Sequence, residues 1–151
     1  METPQVTNPR LAFLRSQIGN TASYSPSAFG SWLNGILRAI GPDHLVIEYT
    51  VRAEMANAVG TLHGGVASAI MDDMAGMLVY SLGGENAHTS VNLAVDFLHS
   101  ARVGDVLTAR AEVIRAGKNI VHVEVRIRAA DGKIIAKCAT NLIQTSIRLP
   151  F

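Results

Sequence analysis

The 151-residue sequence has one cysteine, Cys138, so no disulfide can form within the chain. A lone thiol fits a reducing compartment, and a cytoplasmic location is expected. Charge of neither sign is in excess: thirteen Lys and Arg against twelve Asp and Glu leave a formal net charge of +1. The basic residues are scattered, which argues against a dedicated nucleic-acid surface. No unbroken apolar run is long enough to span a membrane. The longest candidate, residues 64–82, contains Asp72 and Asp73, which a spanning helix would hold near the bilayer centre. The opening METPQVTNPR has neither a basic start nor an apolar core, so no signal peptide is expected. There is no G-x-S-x-G, which excludes the serine nucleophile elbow. His44, His63, His88, His99 and His122 do not fall at a compact metal-ligand spacing, so neither a metal nor another cofactor is expected. Internal repeats and low-complexity tracts are also missing.

What is present is apolar residues at 48% and charged residues at 17%, which suits one domain with a sizeable core. Residues 1–25 read as a weakly structured segment with a short helix over Leu11–Ile18. Residues 26–151 read as the domain. Phe29, Trp32, Leu33, Ile36, Leu37 and Ile40 follow at helical spacing and predict a helix that Gly41-Pro42 stops. From His44 the period becomes two and predicts a strand. A loop over residues 54–62 leads into the apolar helix of residues 64–80, which Gly83-Gly84 ends. Four strands follow, over residues 89–98, 106–115, 121–128 and 133–145. Gly117-Lys118 and Asp131-Gly132 make the last three antiparallel neighbours. The outcome is an α+β fold, an antiparallel sheet wrapped around one greasy helix. A helix apolar on all sides needs cover on most of them, so an oligomer is expected.

Within that helix Gly65, Ser68, Ala69, Asp72, Ala75, Gly76 and Val79 share one stripe, small apart from Asp72. A buried carboxylate is costly unless paired, hydrogen-bonded or protonated, so Asp72 is a candidate functional acid. Asp73 points one step round the helix. It reads as a surface acid or a cap on a neighbouring loop. At the helix start, His63-Gly64-Gly65 leaves backbone N–H groups open to close approach. That suits an oxyanion or a polarised carbonyl, and equally a plain glycine turn capped by histidine. Cys138 reads as a small buried hydrophobe. Met71, Met74, Met77 and Leu78 suit the core, or else an apolar pocket.

The stretch Asn57-Ala58-Val59-Gly60-Thr61-Leu62-His63-Gly64-Gly65, with Asp72 nine residues after His63, resembles the PaaI-like hot-dog-fold acyl-CoA thioesterases of the 4-hydroxybenzoyl-CoA thioesterase superfamily. Ser90 matches a further polar position of part of that family, and residues 100–105 match a turn. The resemblance covers residues 30–145 and implies a hot-dog fold with the following roles. The Gly64 N–H polarises the thioester carbonyl. His63 and Asn57 shape the loop, and Asn57 also holds the thioester or water. Gly65 and Asp73 adjoin the substrate. Asp72 is a general base on water, or a nucleophile that forms a mixed anhydride. Ser90 positions the water or the acid. The site is implied to lie at a dimer interface, the acid and Ser90 from one subunit and the Asn57–Gly64 loop from the other, with two dimers forming a tetramer. The substrate implied is an acyl-CoA, aryl or medium-chain. Arg102, Lys118 and Arg128 are candidates for the CoA phosphates. The alternatives are a hot-dog hydratase or dehydratase and a non-catalytic acyl-CoA-binding protein.

Overall fold

A computed structural model describes residues 8–21 and 24–150. The expectations for residues 1–7, 22, 23 and 151 lie outside the described residues. Two short helices open the chain, α1 (Pro9–Ser16) and α2 (Ala28–Leu33). Strands β1 (Ile36–Ile40) and β2 (His44–Thr50) follow, then a single 3-10 turn and the long helix α3 (Gly64–Ser81). Four strands complete the chain: β3 (Asn86–Phe97), β4 (Val106–Ala116), β5 (Ile120–Arg128) and β6 (Ile134–Arg148). They form one antiparallel sheet in the order β1-β2-β4-β5-β6-β3.

Alternation along the strands places the core. Leu45, Ile47 and Tyr49 of β2, Leu107, Ala109 and Ala111 of β4, and Val121, Val123, Val125 and Ile127 of β5 all face one side and are buried. Against that face lies α3, which buries Ile70, Met71, Met74, Met77 and Leu78. Each fully buried side chain of this size contributes about 1.5–3 kcal/mol. Met71 and Met74 are therefore core, not pocket. No described helix is long and apolar enough to cross a membrane.

The helix predicted up to Ile40 is corrected. It ends at Leu33, where Asn34 takes a left-handed conformation (φ 55°) and donates its N–H to Gly30 O. At Gly35 a side chain would run into Ile47 and Tyr49, and Tyr24 Oη donates to the Gly35 carbonyl at 2.7 Å. The chain then turns into β1, which pairs with β2. A bulge between Leu37 and Ala39 shifts the strand's parity, so that Leu37 and Ile40 both face the core three positions apart. That spacing imitates a helix in the sequence. Phe29 and Trp32 stack on each other at the surface, 48% and 42% exposed.

Helix α1 is pinned to the end of α3. Leu14 is 1% exposed and belongs to the core. Asn8 caps α1 by accepting from Leu11 N and donates to Ser81 O at 2.8 Å.

Candidate active site

The loop before α3 is built around Asn57. Its Oδ1 accepts from the backbone N–H groups of Val59 and Thr61, both at 3.1 Å, and its Nδ2 donates to Thr61 Oγ1 at 2.9 Å. The backbone closes the same turn, Asn57 N–H donating to Thr61 O at 2.8 Å. Leu62 N–H donates to Ala101 O, and His63 N–H to Met55 O, so the loop is fixed from both sides. Asn57 thus spends its amide on shaping the loop, and Thr61 is the partner that sequence reasoning missed.

His63 is the N-cap of α3, its Nδ1 accepting from Gly65 N at 2.8 Å. A backbone N–H only donates, so this geometry assigns the ring proton to Nε2. The Gly65 N–H is occupied by the cap. The Gly64 N–H has no acceptor among the described residues. It stands at the positive end of an 18-residue helix. Phe97 packs so close that a side chain on Gly64 would meet its ring at 3.2 Å. A cavity of about 320 Å³ opens here, walled by Asn57, Thr61, Gly64, Phe97, His99 and Ser100.

Asp72 is exposed, two turns further along α3, and accepts from Ser90 Oγ at 2.7 Å. It lines a different cleft, of about 330 Å³, with Asp73, Gly76, Tyr80, His88 and Ser90. The eight residues from Gly64 to Asp72, at 1.5 Å rise each, separate the two stations by about 12 Å. The structure therefore brings Asp72 to Ser90, and Asn57, His63 and Gly64 to one another, as two clusters on one chain.

Asp73 turns inward from Asp72. It is half-buried, and Ser27 Oγ donates to its Oδ1 at 3.3 Å. Burial raises its carboxyl above the usual range, the Ser27 hydrogen bond opposes this, and the charge of Asp72 adds to the rise. Asp73 therefore ties α3 to the N-cap of α2. Ser27 lies 46 positions away and carries no sequence signal. Tyr80 was missed too, although it follows Asp72 at i+8 on the same helical row.

Cys138 is buried in β6, and burial pushes its thiol up to about 11, so it is not a poised nucleophile. Arg102 adjoins the loop through the bridge between Thr61 and Arg102, whereas Lys118 precedes β5 and Arg128 is the last residue of that strand. Among the described residues no group of three or more His, Cys, Asp or Glu is placed to hold a metal.

Residues 59–136 match the family described as the Thioesterase superfamily. The chain is 28% identical over 102 residues to acyl-coenzyme A thioesterase 13 of Homo sapiens, covering 67% of this chain and 73% of that protein. In fold it is similar to the E. coli PaaI protein from the phenylacetic acid degradation operon, with TM-score 0.78 and 22% identity, covering 91% of this chain and 97% of that one. It is also similar in fold to smu.793 of Streptococcus mutans bound to acetyl CoA, with TM-score 0.72 and 20% identity, covering 77% and 92%.

Proposed function

Because the chain belongs to the thioesterase superfamily and is a thioester hydrolase with the hot-dog fold, we propose that it cleaves acyl-CoA thioesters to the free acid and CoA. The Gly64 N–H polarises the thioester carbonyl, adding its dipole to that of the helix start. Asp72 acts in one of two ways. As general base it takes a proton from water, whose oxygen bonds to the carbon while the C–S bond breaks and CoA leaves as thiolate. As nucleophile its carboxylate displaces CoA to give a mixed anhydride, which water then opens. Ser90 holds one carboxylate oxygen, which leaves the other to act on water or the thioester. Asn57 and His63 keep the loop rigid.

The observation that carries the proposal is the Ser90–Asp72 hydrogen bond on the same helix whose first N–H, that of Gly64, has no acceptor among the described residues. Those two stations are too far apart on one chain to serve one carbonyl. The site is therefore completed by a second copy, the loop of one protomer facing the acid of its partner. The sheet offers a route for this pairing. Strand β3 is a twelve-residue edge strand with no Lys or Pro, and it exposes Val91 at 58% and Phe97 at 59%. Such an edge invites pairing with another chain. Two such dimers would make the tetramer.

Thiol release from a panel of acyl-CoAs, by wild type and Asp72→Asn, tests the proposal. Wild type is expected to release CoA, and the folded variant to lose at least about a hundredfold in kcat. Full activity in Asp72→Asn would remove Asp72 from the chemistry. Tight acyl-CoA binding without release would make the protein a binding module. Consumption of an enoyl thioester without thiol release would make it a hydratase.

A further inference from the structure

Gly76 interrupts the row Asp72, Gly76, Tyr80, which runs along α3 at i, i+4 and i+8. Glycine is a poor residue for a helix interior. Close packing is the usual reason for one, and within this chain it does not apply: a Cβ on Gly76 would find nothing within 4 Å. The helix therefore presents bare backbone between the acid and the tyrosine, under open space. The cleft that holds Asp72 and Ser90 runs over this trough and reaches Pro26 and Tyr80. Pro26 and Tyr80 also wall a second, larger cavity of about 600 Å³, together with Pro9, Phe13 and Tyr24. That cavity lies between α1 and the segment before α2, and its walls are mostly apolar. Tyr80 is held in place by α1. The Arg10 guanidinium lies over its ring, 4.6 Å from the centroid, and Arg10 Nη1 donates to Tyr80 O at 3.2 Å and Gly84 O at 2.7 Å.

We infer that the acyl chain of the thioester lies in the Gly76 trough and ends in the cavity under α1, making the substrate a medium-chain apolar acyl thioester. This rests on the function proposed above. The trough sets the length. From Asp72 to Tyr80 is eight residues, about 12 Å along the helix axis, which an extended chain of about nine carbons spans. A shorter acyl group leaves the apolar cavity empty and forgoes its burial. Phe13, Tyr24 and Tyr80 then act on specificity and not on the chemistry. Helix α1 becomes part of the substrate site.

The test is kcat/KM for a saturated acyl-CoA series from acetyl to dodecanoyl, measured on wild type, Gly76→Val and Phe13→Trp. Light scattering verifies that the oligomer is retained. Wild type is expected to prefer octanoyl to decanoyl over butanoyl by about tenfold or more. In Gly76→Val the decanoyl-to-butanoyl ratio should fall at least about tenfold, because the valine fills the trough. Phe13→Trp narrows the far cavity at a half-exposed position and should move the optimum to shorter chains. A wild type indifferent to chain length overturns the inference. So does a Gly76→Val variant whose ratio is unchanged, or one that slows every chain length alike. Thiol release from no member of the series would instead remove the hydrolase function on which the inference rests.

Discussion

Ser90 Oγ donates a 2.7 Å hydrogen bond to Asp72 Oδ1, joining the middle of α3 to β3 across eighteen positions. One carboxylate oxygen is thereby occupied and the rotamer restrained. The expected consequence is a split between roles. Ser90→Ala should lower kcat by about tenfold, less than Asp72→Asn, and Ser90→Thr should recover most of it because the hydroxyl returns. Stability should change by no more than about 1 kcal/mol, since the pair is solvated. Steady-state thiol release and thermal unfolding of the three variants check this.

Asn57 should matter first to the loop. Asn57→Ala removes the acceptor for two backbone N–H groups and is expected to cost about 1–3 kcal/mol, together with most of the activity. Asn57→Asp keeps Oδ1, and the Thr61 hydroxyl can turn to donate, so the loop should survive. Denaturant unfolding alongside thiol release separates the two variants.

Gly64 is the first residue of α3, where proline is tolerated, and the preceding His63 already has extended geometry (φ −62°, ψ 132°). Gly64→Pro therefore deletes the proposed carbonyl-binding N–H; the added ring makes the exposed Phe97 side chain give by a few tenths of an ångström, so thermal unfolding is measured beside kcat, which should fall by about 10²–10³. Mixing it with Asp72→Asn provides the sharper measurement. Random pairing makes half the dimers mixed, each with one complete site of two, so about a quarter of wild-type activity should return. No recovery after exchange of subunits would place the whole site on one chain.

Asp73 predicts a pH effect on stability. Its carboxyl is raised in the folded chain by burial, so the folded state binds its proton more tightly than the unfolded state does. Stability from this group is thus greatest below the ordinary carboxylate range. It declines as pH rises from that range through the raised folded value, and stays lower above it. Asp73→Asn, which keeps an oxygen for Ser27, should have a higher melting temperature than wild type at pH 7. The two should converge in acid. Scanning calorimetry from pH 3 to pH 8 is the check.

Much of the fold was legible because its strands alternate cleanly and its turns carry glycine. Where the sequence misled, the cause is specific. The β1 bulge puts Leu37 and Ile40 on one face at a helix-like interval, and the break at Asn34–Gly35 depends on Ile47 and Tyr49, which arrive from another strand. The two clusters of candidate residues were visible as a motif, since Asn57 to Asp72 lie on one continuous stretch. The partners that restrain Asp73 and Tyr80 were not. Ser27 and Arg10 come from the N-terminal helices, and nothing in their local sequence foretells a contact 46 or 70 positions away.

The spacing of Gly64 and Asp72 on one rigid helix has a consequence beyond geometry. If neither cluster can hydrolyse a thioester without its counterpart on a second copy, catalytic power belongs to the assembly and is governed by mass action. Specific activity should then fall as the protein is diluted through its dimer dissociation constant. In a cell, the amount of this chain would set both how many sites exist and what fraction of them is switched on.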